Sequence, residues 1–439
     1  MPTSELFSRI RVEIDSIPLL DTHEHLPPEA ARLAQKVDFF SWFPVYASSD
    51  LLSAGMPEAA LARVRDPERP LDERWAEFAP WWEHTCTTGY GRQLRMLARE
   101  LFGVEEINAR TVHTLSEKMR AANRPGWYTH VLRECAHIER SVLDPAEGLE
   151  ATGFAEVDPT LFVPVCRVDR FITVWNLNEL RALEERTGLA IHSLDDLLAG
   201  MDVAFERAMA AGAVGLKLDE AYRRPLSYEK VPKAEAERIF DRVAQYPLAL
   251  APSFQPPSIS WREARPLQDY LTHQAIRRAI EHHLPIQVHT GLQEGSGNYV
   301  VDANPLHLVS LLLEYREARF DLFHAGYPFV SESATLAKNF PNVCLDMCWV
   351  HIISPWVAQH ALHEWLETVP ANKILAFGGD SLFIEGVYAH ARMARGNVAR
   401  VLAEKVEVGY LDEDEAFSLA HKLLHDNAAH FFGLESTQA

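Results

Sequence analysis

The feature that most constrains this chain is an alternation. Short apolar runs, each closing on a polar or charged residue, are separated by segments whose apolar residues recur at helical spacing. Eight runs read as strands: Ile17 to Thr22, Ile138 to Leu143, Leu161 to Val165, Val214 to Leu218, Ile286 to His289, Asp321 to Phe323, Val343 to Asp346 and Ile374 to Phe377. Helix-like stretches lie between the later ones, at Leu194 to Ala211, Leu267 to His282, Pro305 to Arg316, Ser331 to Asn339 and Pro355 to Thr368. Parallel strands need crossover connections of this kind, so the expected fold is α/β, a (β/α)8 TIM barrel with extra C-terminal helices from about Gly386 to Phe432.

One interval breaks the rhythm. From Pro27 to about Arg133 no run reads as a strand, and the sequence is of helical period, rich in Trp, Arg and Glu. We expect one barrel domain over 1–439 with a helical insertion over 27–133. Placed after the first strand, the insertion would cover the C-terminal face of the barrel, where active sites are built. Its Trp81, Trp82, His84, Tyr90, Arg92 and Arg95 are candidates for lining a pocket, with helix-on-helix packing the competing role for each.

Charge narrows the partners. Acidic residues outnumber basic ones 62 to 42, for a formal charge of −20, which repels a phosphate backbone and an anionic membrane surface alike. Neither nucleic acid nor a membrane is expected, and a small molecule is the expected partner, with a homo-oligomer left open. Met1 to Leu20 has scattered charges and no continuous apolar stretch, and no run reaches spanning length. The 5 cysteines, Cys86, Cys135, Cys166, Cys344 and Cys348, form no CxxC pair and argue against a disulfide framework, so the cytoplasm is the expected compartment. Cys344 and Cys348 read as small buried thiols, with metal binding the lesser alternative.

The chemistry lies at the strand ends. Asp21-Thr22-His23-Glu24-His25 closes the first strand, and residues two apart on an extended chain project to one side, so both imidazoles can reach one ion. By itself a His-x-His pair is weak. It gains weight because Val288-His289-Thr290-Gly291, Phe323-His324-Ala325-Gly326 and Phe377-Gly378-Gly379-Asp380 close three other strands, and in a barrel all such ends face one mouth. Lys217, in Gly215-Leu216-Lys217-Leu218, is a further candidate, since an ammonium inside an apolar strand needs a partner. A salt bridge to Asp219 or Glu220 is the bland reading. A metal-bridging carbamate or a substrate-orienting cation are the functional ones.

At these residues the sequence resembles the amidohydrolase superfamily: His23 and His25 on strand one, Lys217 on four, His289 on five, His324 on six and Asp380 on eight. The Ala221-Tyr222-Arg223 segment, the run Pro285 to Gly291 and the run His324 to Pro328 are similar to the amidohydrolase 2 branch, which includes the domain fused to glutamine-synthetase-like proteins. Uronate isomerases are more distant relatives. The resemblance implies that His23, His25 and Asp380 bind a divalent metal, that His289 is a further ligand, and that Asp380 is also the general base toward a water the ion activates. It implies that His324 orients that water or polarises the scissile carbonyl, and that Arg223 holds a substrate carboxylate. One ion is expected, zinc first and manganese second. A carboxylated Lys217 would bring in a second ion, with His289 and His324 as its ligands.

The expected function is metal-dependent hydrolysis of an amide, lactone or ester. The alternatives are decarboxylation of an unsaturated or aromatic acid, or aldose–ketose isomerisation of a uronic acid, with a non-catalytic binding barrel as a third reading. Trp349 and His351 are placed to wall a pocket or to pack in the core, and Gly295-Ser296-Gly297-Asn298 reads as a mobile loop rather than a phosphate cradle.

Overall fold

Runs rich in Val, Ile and Leu that are buried on both faces favour parallel strands, and every strand pair among the described residues is parallel. The computed structural model describes residues 5–145, 157–245 and 259–435. Its strands are β1 (Leu19–Glu24), β2 (Ile138–Leu143), β3 (Phe162–Pro164), β4 (Cys166–Arg167), β5 (Leu216–Leu218), β6 (Ile286–Val288), β7 (Phe320–Leu322), β8 (Val343–Asp346) and β9 (Ile374–Leu375). They pair as β1-β2-β3 and as β4-β5-β6-β7-β8-β9.

The expected third strand, Leu161 to Val165, is divided at Val165, and the backbone shows why. The Val165 N–H turns back to Leu143 O (2.9 Å), whereas the Cys166 N–H donates forward to Gly215 O (2.8 Å), so one strand serves its two neighbours in succession. At the other gap the chain beyond β9 lies against β1: Thr22 N–H donates to Phe377 O (3.1 Å) and Asp380 N–H to His23 O (2.7 Å). The first strand runs two residues further than expected, to Glu24, while the last stops at Leu375, before the Gly-Gly-Asp turn.

Strand ends are short because the chain leaves the extended conformation where the polar residues begin. His324 has φ 62° and Asp380 φ 49°, values that L-residues seldom adopt outside strained or functional positions.

Between β1 and β2 the described chain is helical wherever it is regular. An aromatic cluster holds this region together, with the Phe78 ring centroid 5.6 Å from Phe39 and 5.2 Å from Phe43. Helix Gly89–Glu100 docks on the short helix Val350–Ile353 that follows β8. A Cβ at Gly89 would come within 1.7 Å of Ile352 O, so only glycine permits that approach, which carries Tyr90 to the barrel mouth. No helix among the described residues is long and apolar enough to cross a membrane.

Candidate metal centre

Alternation along β1 puts His23 and His25 on one face, with their Nε2 atoms 3.2 Å apart. Asp380, after β9, brings Oδ1 to 3.2 Å from His25 Nε2. The turn that delivers it needs glycine at 379, where a Cβ would stand 1.6 Å from Glu24 Oε1. His289 follows β6 and His324 follows β7, and His324 Nε2 lies 3.1 Å from His289 Nδ1 and 3.9 Å from Asp380 Oδ2.

Proton bookkeeping on the four rings is informative. His324 Nδ1 faces Cys348 O (2.9 Å), His289 Nε2 faces Leu292 O (3.0 Å) and His23 Nδ1 faces Gln287 Oε1 (3.3 Å). Gln287 is itself fixed by donating Nε2–H to Thr22 O (2.9 Å). His25 Nδ1 lies 3.6 Å from Asp144 Oδ2. His23, His289 and His324 therefore each have one nitrogen turned to an acceptor and the other turned toward a neighbouring ligand atom, the arrangement by which outer partners orient metal-binding imidazoles, whereas His25 lies between the carboxylates of Asp144 and Asp380. Bare nitrogens 3.1–3.2 Å apart repel unless a cation or proton lies between them. Two ligands on a tetrahedral ion with bonds near 2.0–2.1 Å stand about 3.3 Å apart, so the donor set of His23, His25 and Asp380 fits a small divalent cation. These three residues form one group of mutually close ligand atoms, and His324, Cys348 and Asp380 form another.

Electrostatics agree with that role. Burial, with Lys217 nearby, holds His23 well below the usual imidazole range, and burial together with His324 does the same to His289. His324 is lowered by burial to about 4. Burial also works against a charge on His25, but Asp144 and Asp380 outweigh it and raise this ring. Burial works to raise Asp380, yet the hydrogen bond and charge of His25, with the other imidazoles behind it, hold the carboxyl well below its ordinary range. With His23, His289 and His324 neutral, His25 is the partner that keeps Asp380 ionised.

Lys217 is buried in β5. Its Nζ stands 3.5 Å from His23 Nε2 and 4.4 Å from the centre of the Phe323 ring, and Asp219 is instead bonded by Arg167 Nη2 at 3.0 Å. The structure thus brings His23, His25, Lys217, His289, His324 and Asp380 together. It does not bring Arg223 to them. Arg223 Nη1 donates to Thr173 Oγ1 (2.8 Å) and lines a separate cavity of about 310 Å³ with Arg167, Asp169, Arg170, Arg186 and Arg207.

Sequence reasoning missed Asp144, which follows β2 and faces His25, and Arg167, which ends β4 and bonds Asp144 (2.6 Å). Both sit at strand ends, so the rule that found the histidines could have found them. It also missed Tyr46, whose hydroxyl donates to Asp380 Oδ1 (3.2 Å) from a loop with no periodic signal.

A cavity of about 480 Å³ adjoins this group through Tyr46 and Trp349, and is lined in part by Tyr46, Asp50, Tyr90, Glu294, Trp349 and the Gly295-Ser296-Gly297 loop. Of the aromatic and basic residues proposed for the pocket from the sequence, Tyr90 and Trp349 line it. Trp82 packs on Phe78 at 5.8 Å, and His84, Arg92 and Arg95 are exposed. His351 is a core residue, bonded to Ala376 O (2.9 Å) and Asn397 Nδ2 (3.1 Å).

A family model described as Amidohydrolase matches residues 136–434. Over 227 residues, half of this chain, it is 30% identical to the protein fluG of Emericella nidulans, and that match spans 26% of the relative. The uronate isomerase of Nostoc punctiforme is 25% identical over 462 aligned positions, covering 96% of this chain and 94% of that one. Among solved structures, the uronate isomerase of Thermotoga maritima superposes with a TM-score of 0.80 at 18% identity, covering 98% of both chains. A protein described as a metal-dependent hydrolase, from Lactobacillus casei, gives 0.68 at 18% identity, covering 98% of this chain and 99% of the other.

Proposed function

The chain belongs to the amidohydrolase family, and from that premise we propose that it is a metal-dependent hydrolase acting on a C–N or C–O bond of an amide, lactone or ester. The observation that carries this reading is the close grouping of His23, His25 and Asp380, with His324 also within reach of Asp380 and His289 against His324. His23, His25 and Asp380 would hold one divalent ion, zinc before manganese, with His289 as a further ligand. When bound, the ion supplies Lewis-acid polarisation and makes a water nucleophilic near neutral pH.

This chain's own residues do the rest. Asp380 Oδ2, free of the Tyr46 and His25 contacts on Oδ1, accepts the proton of the attacking water. His324, neutral and tied through Nδ1 to Cys348 O, presents Nε2 to orient that water or the scissile group. Lys217 stays unmodified beside His23 in the one-ion reading. The helices over 27–133 serve as the cap of the site, through Tyr46 and Tyr90.

A second reading, aldose–ketose isomerisation of a uronic acid, is favoured by the near full-length similarity to the Nostoc enzyme. Metal analysis of purified protein, followed by assay of a hydrolysable panel alongside ketose detection from uronic acids, separates the two. Hydrolysis lost in Asp380→Asn supports the first reading. Ketose formation with no hydrolysis replaces it by the second, and protein without metal or either activity overturns both.

A further inference from the structure

The cavity beside the metal centre has one sign of charge. Its described lining holds two carboxylates, Asp50 and Glu294, and no Lys, Arg or His. Among the described residues neither acid is paired with a cation. Asp50 Oδ2 accepts from the Thr88 hydroxyl, and Glu294 Oε1 accepts from Ser49 Oγ (2.9 Å) and from the Tyr46 N–H (3.2 Å). Those donors hold the carboxylates in place.

Three aromatic rings face the same space. Tyr46 and Tyr90 lie nearly parallel with centroids 5.9 Å apart, Tyr46 and Trp349 are 5.5 Å apart, and Trp349 Nε1–H donates to the Tyr90 hydroxyl. Aromatic faces attract a cation through their quadrupole, so rings and carboxylates favour the same kind of group. Two of the lining side chains also touch the reacting centre. Tyr46 touches Asp380 through its hydroxyl and Glu294 through its backbone N–H, and Trp349 packs edge-on against His324 at 5.2 Å. Tyr46 by itself thus links the metal ligand Asp380 to Glu294.

We infer that the mouth of the site selects a substrate whose end remote from the metal carries a protonated amine, held by Glu294 and Asp50 against the Tyr46, Tyr90 and Trp349 rings, and that it disfavours a carboxylate there. The inference rests on the metal-centre reading above. It deepens the hydrolase proposal, since a uronic acid would have to set its carboxylate among these acids.

Three probes share one metal-binding head and differ only at the tail: 6-aminohexanohydroxamic acid, hexanohydroxamic acid and adipic acid monohydroxamate. Binding to the zinc-loaded full chain is measured by titration calorimetry. The expected order is ammonium, then neutral, then carboxylate, with about tenfold between the first and last, as weak attraction at one tail and repulsion at the other combine. In Glu294→Gln and in Asp50→Asn that span should shrink to within about threefold while the neutral probe binds as before. Probes that bind with equal affinity, or with the carboxylate preferred, overturn the inference and leave the metal centre standing. Failure of all three hydroxamates to bind overturns the metal-centre reading and the inference with it. The wild-type ranking needs no variant to fold.

Discussion

Two layers of carboxyl groups lie inside the same barrel, both buried and opposite in behaviour. In the upper layer Asp380 is 7% exposed and is held well below the ordinary carboxylate range. In the lower layer Asp321 and Asp346, both at 0%, are pushed up, Asp346 to about 7. Burial acts first on all three and in the same direction. The difference lies in what each group faces: Asp380 has His25 and the imidazoles, whereas Asp321 and Asp346 have each other, and one must keep a proton. The layers follow from strand period, since Asp21 precedes His23, and Gln287 precedes His289, by two residues on the same face. Burial sets the cost of charge, and the neighbours decide whether the result is a base or a proton-holding brace.

Replacing the upper carboxylate tests that contrast most severely. In Asp380→Asn the base and one ligand are lost together, and turnover should fall by about 10³-fold or more. Metal content should drop with it, read by elemental analysis, while the thermal midpoint of the metal-free protein stays near that of wild type. A variant with normal metal and normal turnover would remove Asp380 from the chemistry.

How much of this was legible in the chain depends on whether a residue's role is local. His23, His25, His289, His324, Lys217 and Asp380 sit at strand ends, and strand position follows from apolar runs in sequence, so the group could be assembled before any coordinates. Asp144 and Arg167 obeyed the same rule and lacked only a motif around them. Tyr46, Tyr90 and Glu294 were a different matter. Tyr90 was among the pocket candidates, but nothing separated it from Trp82 or Arg92, because its placement comes from Gly89 meeting Ile352 across more than 250 residues of chain. Division of the third strand at Val165 was equally hidden, being a matter of which neighbour each N–H meets.

The lower layer should fail by structure rather than chemistry. Asp21 accepts from Ser141 Oγ (2.8 Å), Gly379 N–H (2.9 Å) and His23 N–H (3.2 Å), joining β1, β2 and the Gly-Gly-Asp turn. Asp21→Ala leaves those buried donors unmet and should destabilise the fold by about 3 kcal/mol in denaturant unfolding. A loss below about 0.5 kcal/mol would mean that water reaches the donors.

The lower pair also has a pH signature. Asp346 in the folded protein holds a proton up to about 7, against an ordinary value of 3.8, so the folded state binds more protons between those limits. Stability from this group is fully present below about pH 4 and is lost as pH rises through 7. Other carboxylates superimpose their own trends, so the measurement is the difference between wild type and Asp346→Asn across pH 4 to 8. The variant should gain on wild type as pH rises. A flat difference would place the proton elsewhere, on Asp321 alone.

Arg223 gives the smallest expected effect and the finest test of the rule that facing partners decide function. The family resemblance gives it a substrate carboxylate to hold, but its guanidinium bonds Thr173 and opens on the arginine-lined cavity, away from the imidazoles. Arg167 stands between, with Nη1 on Asp144 and Nη2 on Asp219, so a charge change at 223 reaches the centre only through an already neutralised link. Arg223→Ala should therefore change kcat/KM by less than about twofold, because an exposed charge at that remove is well screened. A loss above about tenfold, concentrated in KM, would show that substrate extends past Arg167 into the second cavity, and the mouth lined by Asp50 and Glu294 would then be only one end of a longer site.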